Sequence, residues 1–303
     1  MSGISKRTHV SGDHLQDSLQ AACLLEATAR KPGNVHPGAS FLDLSYEHFV
    51  QAADQVPVLA RSAQQGQVGR AVYEGVEATR GVVPSNANLG IVLLLAPLAA
   101  VPWERTLSEG IAGVLERLTV DDASWVYRAI RLANPGGLGE IDEQDVSSDP
   151  TETLLRVMQL AAERDRIAYQ YANQFVDVFD VGVPCLCSFR DFECEWETAI
   201  IALQLELLAR IPDSLIRRKC GLEVAQEASR RAQQVLEAGW PEAPDSEVLL
   251  ADFDRWLRSD GNRRNPGTTA DLIAACLFAA FRDRLLPIPD LNRLSITEES
   301  ASS

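Results

Sequence analysis

Residues 91–100, Ile-Val-Leu-Leu-Leu-Ala-Pro-Leu-Ala-Ala, contain no charged side chain and no polar face. A helix that is apolar all round has to be enclosed by other elements, so this run demands a core with neighbours on every side. The wider stretch 89–101 includes Gly90 and Pro97 and is too short to cross a bilayer, which leaves protein as the enclosure. The chain has the material for it. Its 303 residues, 46% of them apolar, exclude a disordered polymer and allow one large domain or two small ones.

The surrounding pattern is helical. Leu15, Leu19, Ala22, Cys23 and Ala27 recur at helical spacing over residues 11–30, with Ser11 placed to cap. Similar periodicity covers 45–62, 68–81, 107–118, 123–132, a long segment opened by Thr151, 190–211, a segment running to Gly239, and 248–257. No stretch alternates at the period of a strand, and neither G-x-G-x-x-G nor a P-loop occurs. The expected fold is all-α: a single compact multi-helix domain over residues 11–290, with its site built from loops at helix ends. A disordered N-terminal tail, 1–10, and a polar C-terminal tail, 291–303, would flank it.

A net charge of −15 supplies no positive field to collect nucleic acid, although a local basic cluster can still hold a small anion. The polar N-terminus lacks the apolar core of a signal peptide. These features point to a cytoplasmic protein with no nucleic-acid or membrane partner, and they leave a homo-oligomer open. Cys185, Cys187 and Cys194 form C-x-C-x6-C, which lacks zinc-site spacing and has no histidine following within reach, so they read as thiols that pack. The acidic strip 140–149 reads as a solvated connector.

Against that negative background several stretches stand out. In Glu26…Lys31-Pro32-Gly33-Asn34-Val35-His36 an apolar helix stops in a basic loop. Pro32 turns Lys31 away from the helical region, and Gly33 and Asn34 tolerate positive φ. Backbone N–H groups can then face an anion, with Lys31 as a mobile charge and the Glu26 carboxylate about one turn back. The plain alternative is a helix stop with a surface loop. Asn86-Ala87-Asn88, at the mouth of the apolar run, offers either an N-cap or donors for a phosphate. Pro212-Asp213-Ser214-Leu-Ile-Arg217-Arg218-Lys219 sets Asp213 against Arg217 at i,i+4 and gathers three cations, a footprint for a polyphosphate or only a solvated face. Asn265-Pro-Gly267-Thr268-Thr269-Ala-Asp271 repeats the Pro-Gly turn ahead of an apolar helix, with hydroxyls that can cap and an acid near the positive end of the dipole. Arg164-Asp165-Arg166-Ile-Ala-Tyr169-Gln-Tyr171-Ala-Asn173 mixes charges and aromatics more densely than a core face requires.

Taken together, these motifs resemble the triphosphoribosyl-dephospho-CoA synthase family over most of the chain. The segment 164–173 is similar to the branch found in archaea and in some bacteria outside the citrate-lyase pathway. The resemblance implies an enzyme in which a ribose hydroxyl of 3′-dephospho-CoA attacks C1′ of ATP, adenine leaves, and the triphosphate stays on the transferred ribose with Mg²⁺. Breaking that glycosidic bond calls for a carboxylate near C1′, a base for the hydroxyl and a proton for adenine. Under the resemblance, Glu26 and Asp213 are the catalytic candidates, and Asp271 is the candidate for Mg²⁺ or ribose. Lys31, Arg217 and Lys219 would hold phosphates. Gly33, Asn34, Asn86, Asn88, Ser214 and the Gly267-Thr268-Thr269 turn would supply neutral donors. Two departures stand out: Ala87 where a hydroxyl residue is expected, and Arg217-Arg218-Lys219-Cys220 where more glycine is expected. They keep open another coenzyme-precursor acceptor, and a non-catalytic nucleotide-binding protein is the further alternative.

Overall fold

The computed structural model describes residues 3–83, 87–134 and 148–291, with side chains from residue 13 onward. Helix α1 (Gly3–Thr28) opens the chain. It begins eight residues earlier than the sequence pattern predicts, so residues 3–10 are helix rather than tail and Ser11 lies inside it. Once a helix is nucleated and packed, each added residue gains a hydrogen bond for two fixed dihedrals, and elongation runs past the apolar pattern. Helix α2 (Tyr46–Gln55) continues through a 3-10 turn, Val56–Leu59, into α3 (Ala60–Gln64), the turn tightening where Pro57 withholds a donor.

Helices α4 (Val68–Arg80), α5 (Leu89–Ala99), α6 (Leu107–Leu115) and α7 (Val120–Ala133) follow, with Thr106 and Thr119 capping α6 and α7. The long segment opened by Thr151 is two helices, α8 (Leu154–Ala161) and α9 (Arg166–Ala172). The division has a local cause: Asp165 Oδ1 accepts the N–H groups of Ile167 and Ala168 at 2.8 and 3.2 Å, which starts a new helix where the old one could have continued. Then come α10 (Val183–Cys187), α11 (Phe192–Arg210), α12 (Ser214–Cys220), α13 (Leu222–Glu237), α14 (Pro244–Arg258) and α15 (Gly267–Arg282). Among the described residues the one extended pairing is an isolated bridge between His36 and Ala39. Among the described residues no helix is long and apolar enough to cross a membrane.

The apolar run forms α5, enclosed by α1, α3, α4, α6, α7, α9 and α15. Pro97 lies inside it and cannot donate to the carbonyl four residues back, Leu93. Tyr171 on α9 supplies the missing donor, its hydroxyl bonding the Leu93 oxygen at 2.6 Å. Two hydrophobic clusters share α11. Ile200, Leu203 and Leu207 face the main core with α1, α5 and α15. Ile201, Leu205 and Leu208 face a smaller core with Ile216, Ala225, Ala228, Phe253 and Leu257 from α12, α13 and α14. Each set repeats at three and four residues, so one helix presents two stripes to two cores.

Candidate functional site

A cleft of about 1060 Å³ opens where these helices end. Its wall is made by the last turns of α1 and α7, loop 34–44, the starts of α5, α9 and α15, part of α12 and loop 261–265. Carboxylates of Glu26, Asp43, Asp165 and Asp271 line it, as do the cations Arg80, Arg218, Lys219 and Arg263. Its apolar surface includes Phe41, Leu42, Phe49, Ile91 and Leu93. A cleft of this size stands at the top of the roughly 300–1,000 Å³ range of small-molecule sites.

Glu26 stands at the end of α1 and is buried. Its Oε1 is 3.1 Å from Lys31 Nζ. Lys31 is wholly buried and turned back into the helix end, donating to the backbone oxygens of Glu26 and Ala29 as well. It is therefore not the mobile charge expected from the sequence.

The rest of the loop is likewise spent inward. Gly33 N–H donates to Asp254 Oδ1 at 2.7 Å. Asn34 Nδ2 donates to Asn265 Oδ1 at 2.7 Å, and its Oδ1 accepts from Gln204 Nε2 at 2.8 Å. Arg258 pairs with Asp254 at 2.8 Å and donates to the Asn34 carbonyl at 2.7 Å. Gly33 has φ +76°, and a Cβ there would stand 2.9 Å from Leu257 Cβ. The loop is packed against α11 and α14, and buried donors must find protein partners. Asn34 touches the cleft, but the N–H groups expected to turn toward an anion hold the fold instead. The neighbouring His36 is pushed down to about 4, first by burial and then by the Arg258 charge.

Asp213 does not pair with Arg217. It is the N-cap of α12, its Oδ1 accepting from Leu215 and Ile216 N–H at 2.8 and 3.0 Å. Its Oδ2 accepts from the Thr269 N–H and hydroxyl, both at 2.8 Å. One buried carboxylate thus ties the start of α12 to the start of α15, and neither it nor Thr269 lines the cleft. Burial pushes its carboxyl up, while the hydrogen bonds from Ile216, Thr269 and Leu215 draw it down. Ser214 and Thr268 share a hydroxyl contact at 2.9 Å, and Ser214 Oγ also accepts from the Arg166 N–H at 3.3 Å. Thr268 and Gly267 reach the cleft. Helix α15 begins at Gly267, so both threonines sit in its first turn rather than capping it.

The three consecutive cations diverge because helical residues are spaced by about 100°. Arg217 turns outward and donates to the Glu163 carbonyl at 3.1 Å. Arg218 and Lys219 line the cleft, with Arg218 Nη1 4.0 Å from Asp165 Oδ2. Asn88 also lines it, its amide donating to Thr79 Oγ1 at 2.8 Å and so tying α5 to α4. Asn86 lies outside the described residues. Asp271 lies over Gly90, where a Cβ would come within 2.0 Å of its Oδ2. Its carboxyl is held well above the usual carboxylate range, chiefly by burial and then by the charges of Glu26, Asp213 and Asp165.

Gly90, Asp165 and Arg263 line the cleft although motif reading gave them no role, and Arg218 lines it as one of the three cations that reading had grouped. Asp165 had a signal in the dense polar stretch 164–173. Gly90 had none, because its need for no side chain depends on Asp271 arriving from another helix. Among the described residues, no group of three or more His, Cys, Asp or Glu side chains is arranged to hold a metal ion alone.

The chain is similar over residues 12–289 to a family model described as ATP:dephospho-CoA triphosphoribosyl transferase. A protein of Azotobacter vinelandii named "Probable 2-(5''-triphosphoribosyl)-3'-dephosphocoenzyme-A synthase" is 25% identical over 258 residues, covering 84% of this chain and 79% of its own. One of the same name from Pseudomonas savastanoi pv. phaseolicola is 23% identical over 253 residues, covering 81% and 77%. A crystal structure of a candidate triphosphoribosyl-dephospho-CoA synthase from Archaeoglobus fulgidus matches with TM-score 0.61 and 25% identity. That match covers 77% of this chain and 97% of the other.

Proposed function

The chain belongs to the ATP:dephospho-CoA triphosphoribosyl transferase family, and on that premise we propose that the cleft is where ATP gives up its triphosphoribosyl group to a ribose hydroxyl of 3′-dephospho-CoA. The observation that carries this reading is the meeting of Glu26, Asp165 and Asp271 with Arg218, Lys219 and Arg263 in one cleft of a chain of net charge −15. Cations for a triphosphate and carboxylates for a developing oxocarbenium ion are the two groups that glycosidic transfer from ATP requires together.

Arg218, Lys219 and Arg263 hold the triphosphate, helped by the N-termini of α5 and α15. Glu26 faces C1′ and the attacking hydroxyl. The acceptor's O–H bond breaks, its proton passes to the Glu26 carboxylate, its oxygen bonds C1′, and the C1′–N9 electron pair leaves with adenine. Asp271 supplies a proton to a ring nitrogen of the departing base, a role suited to a carboxyl whose hold on its proton is strengthened by burial and by its acidic neighbours. Asp213 serves by fixing α12 against α15. The carboxylates present fit magnesium as a partner of the triphosphate oxygens, with Asp165 the side chain that would share it, since no protein cage of three ligands exists among the described residues. The ion would there offset phosphate charge.

The test is adenine release from ATP and Mg²⁺ by the purified protein, with and without 3′-dephospho-CoA, followed by the mass of the acceptor. Adenine with an acceptor heavier by one triphosphoribosyl group is the expected result. ATP binding with no adenine overturns the reading, and adenine released only with another coenzyme precursor replaces the acceptor.

A further inference from the structure

We propose that Lys31 is a positioning residue for the transfer: from inside the end of α1 it holds the Glu26 carboxylate toward the cleft and does not touch phosphate. The inference rests on the reaction proposed above and assigns a task that the cationic character of Lys31 alone would not suggest.

An ammonium has three protons to donate. Lys31 Nζ has three acceptors within reach: Glu26 Oε1 at 3.1 Å, the Glu26 backbone oxygen, and the Ala29 backbone oxygen at 3.4 Å. No donor is left for a ligand. The side chain is completely buried and is not part of the cleft wall, whereas Glu26 is. Nor is it free to swing out. Immediately after it, the Pro32 carbonyl accepts from Gln204 at 2.9 Å, the Gly33 N–H is bound to Asp254, and Asn34 is held by Gln204 and Asn265. The ammonium therefore fixes one carboxylate oxygen of Glu26 and leaves the other, among the described residues, without a hydrogen-bond donor. It also joins that oxygen to the helix end that carries it, so carboxylate and backbone move as one body. A few tenths of an ångström of freedom at Glu26 would loosen the near-attack geometry that the transfer needs.

The test is a cycle of Lys31→Met, Glu26→Gln and the double variant, reading kcat and KM for ATP from adenine release together with the thermal midpoint. Lys31→Met is expected to lower kcat about 30- to 100-fold while KM for ATP stays within about threefold. In the Glu26→Gln background it is expected to change kcat less than about threefold, because nothing remains to be positioned. A raised KM at unchanged kcat would mean that Lys31 binds phosphate and would overturn the inference. An unchanged kcat with only a lowered midpoint would reduce it to a helix-end prop, and would overturn it too. If Lys31→Met does not fold, Lys31→Gln, which keeps amide donors for the two carbonyls, is read on the same kcat-against-KM scale. A wild-type protein that releases no adenine removes the reaction and this inference together. An active wild type with the wrong split in the variant removes this inference alone.

Discussion

Asp271 meets no hydrogen-bond donor among the described residues, and its Oδ2 is packed over Gly90. A carboxyl so placed favours its protonated form in the folded chain more than in the unfolded one. The folded state therefore binds the extra proton between the two pKa values, and the stability it brings is present at low pH and is lost as pH rises toward the folded value. Asp271→Asn keeps the shape and has no proton to lose. Its thermal midpoint should exceed wild type by a margin that widens from pH 5 to pH 8, while adenine release falls by about 100-fold or more. Melting curves across that range check the first part, and a variant that melts with the wild type at every pH would sink the account of Asp271. At this scale the sequence singled out residue types but not their directions. The Lys-Pro-Gly-Asn loop was legible as a place where a helix stops beside a carboxylate. That Lys31 turns inward depends on Asp254, Gln204 and Leu257 covering the loop, and these lie more than 170 residues away.

Between elements, Asp213 has a structural task. It accepts four hydrogen bonds, two from α12 and two from Thr269 of α15, while buried. Asp213→Ala leaves those donors without partners and should cost about 2–4 kcal/mol, read as a lowered thermal midpoint and denaturant midpoint. Asp213→Asn keeps the acceptor oxygen and should recover part of that loss, together with most of the activity of the folded fraction. An Asp213→Asn protein of wild-type stability with no measurable activity would return Asp213 to the catalytic role its sequence context suggested. Helix positions were legible where periodicity was strong, as in α4, or where an apolar run was unbroken, as in α5. The boundary between α8 and α9 was not, because Asp165 reads as another polar residue in a helical stretch until its carboxylate is seen to cap the new helix.

For the whole molecule, a net charge of −15 repels ATP at a distance, so the cleft has to create its own attraction over a few ångströms. The all-α architecture followed from one enclosed apolar run and the lack of strand alternation. The cleft itself did not, because its wall is drawn from helix ends spread between residues 26 and 271. The run Arg217-Arg218-Lys219 is where the two levels meet: sequence shows three equal cations, and the helix sorts them. Arg217 is engaged with Glu163, while Arg218 and Lys219 face the cleft. If the triphosphate is held there, Arg218→Ala and Lys219→Ala should each raise KM for ATP about tenfold, with a smaller change in kcat, as expected when a contact is equally strong in ground state and transition state. Arg217→Ala should leave KM within about twofold, since its removal takes no charge from the wall and only a net favourable charge from an already negative surface. Initial rates over a range of ATP at fixed ionic strength measure all three. Equal increases in KM across the three variants would mean that a diffuse field, not the cleft geometry, collects the nucleotide, and would overturn the assignment of Arg218 and Lys219 as its contacts.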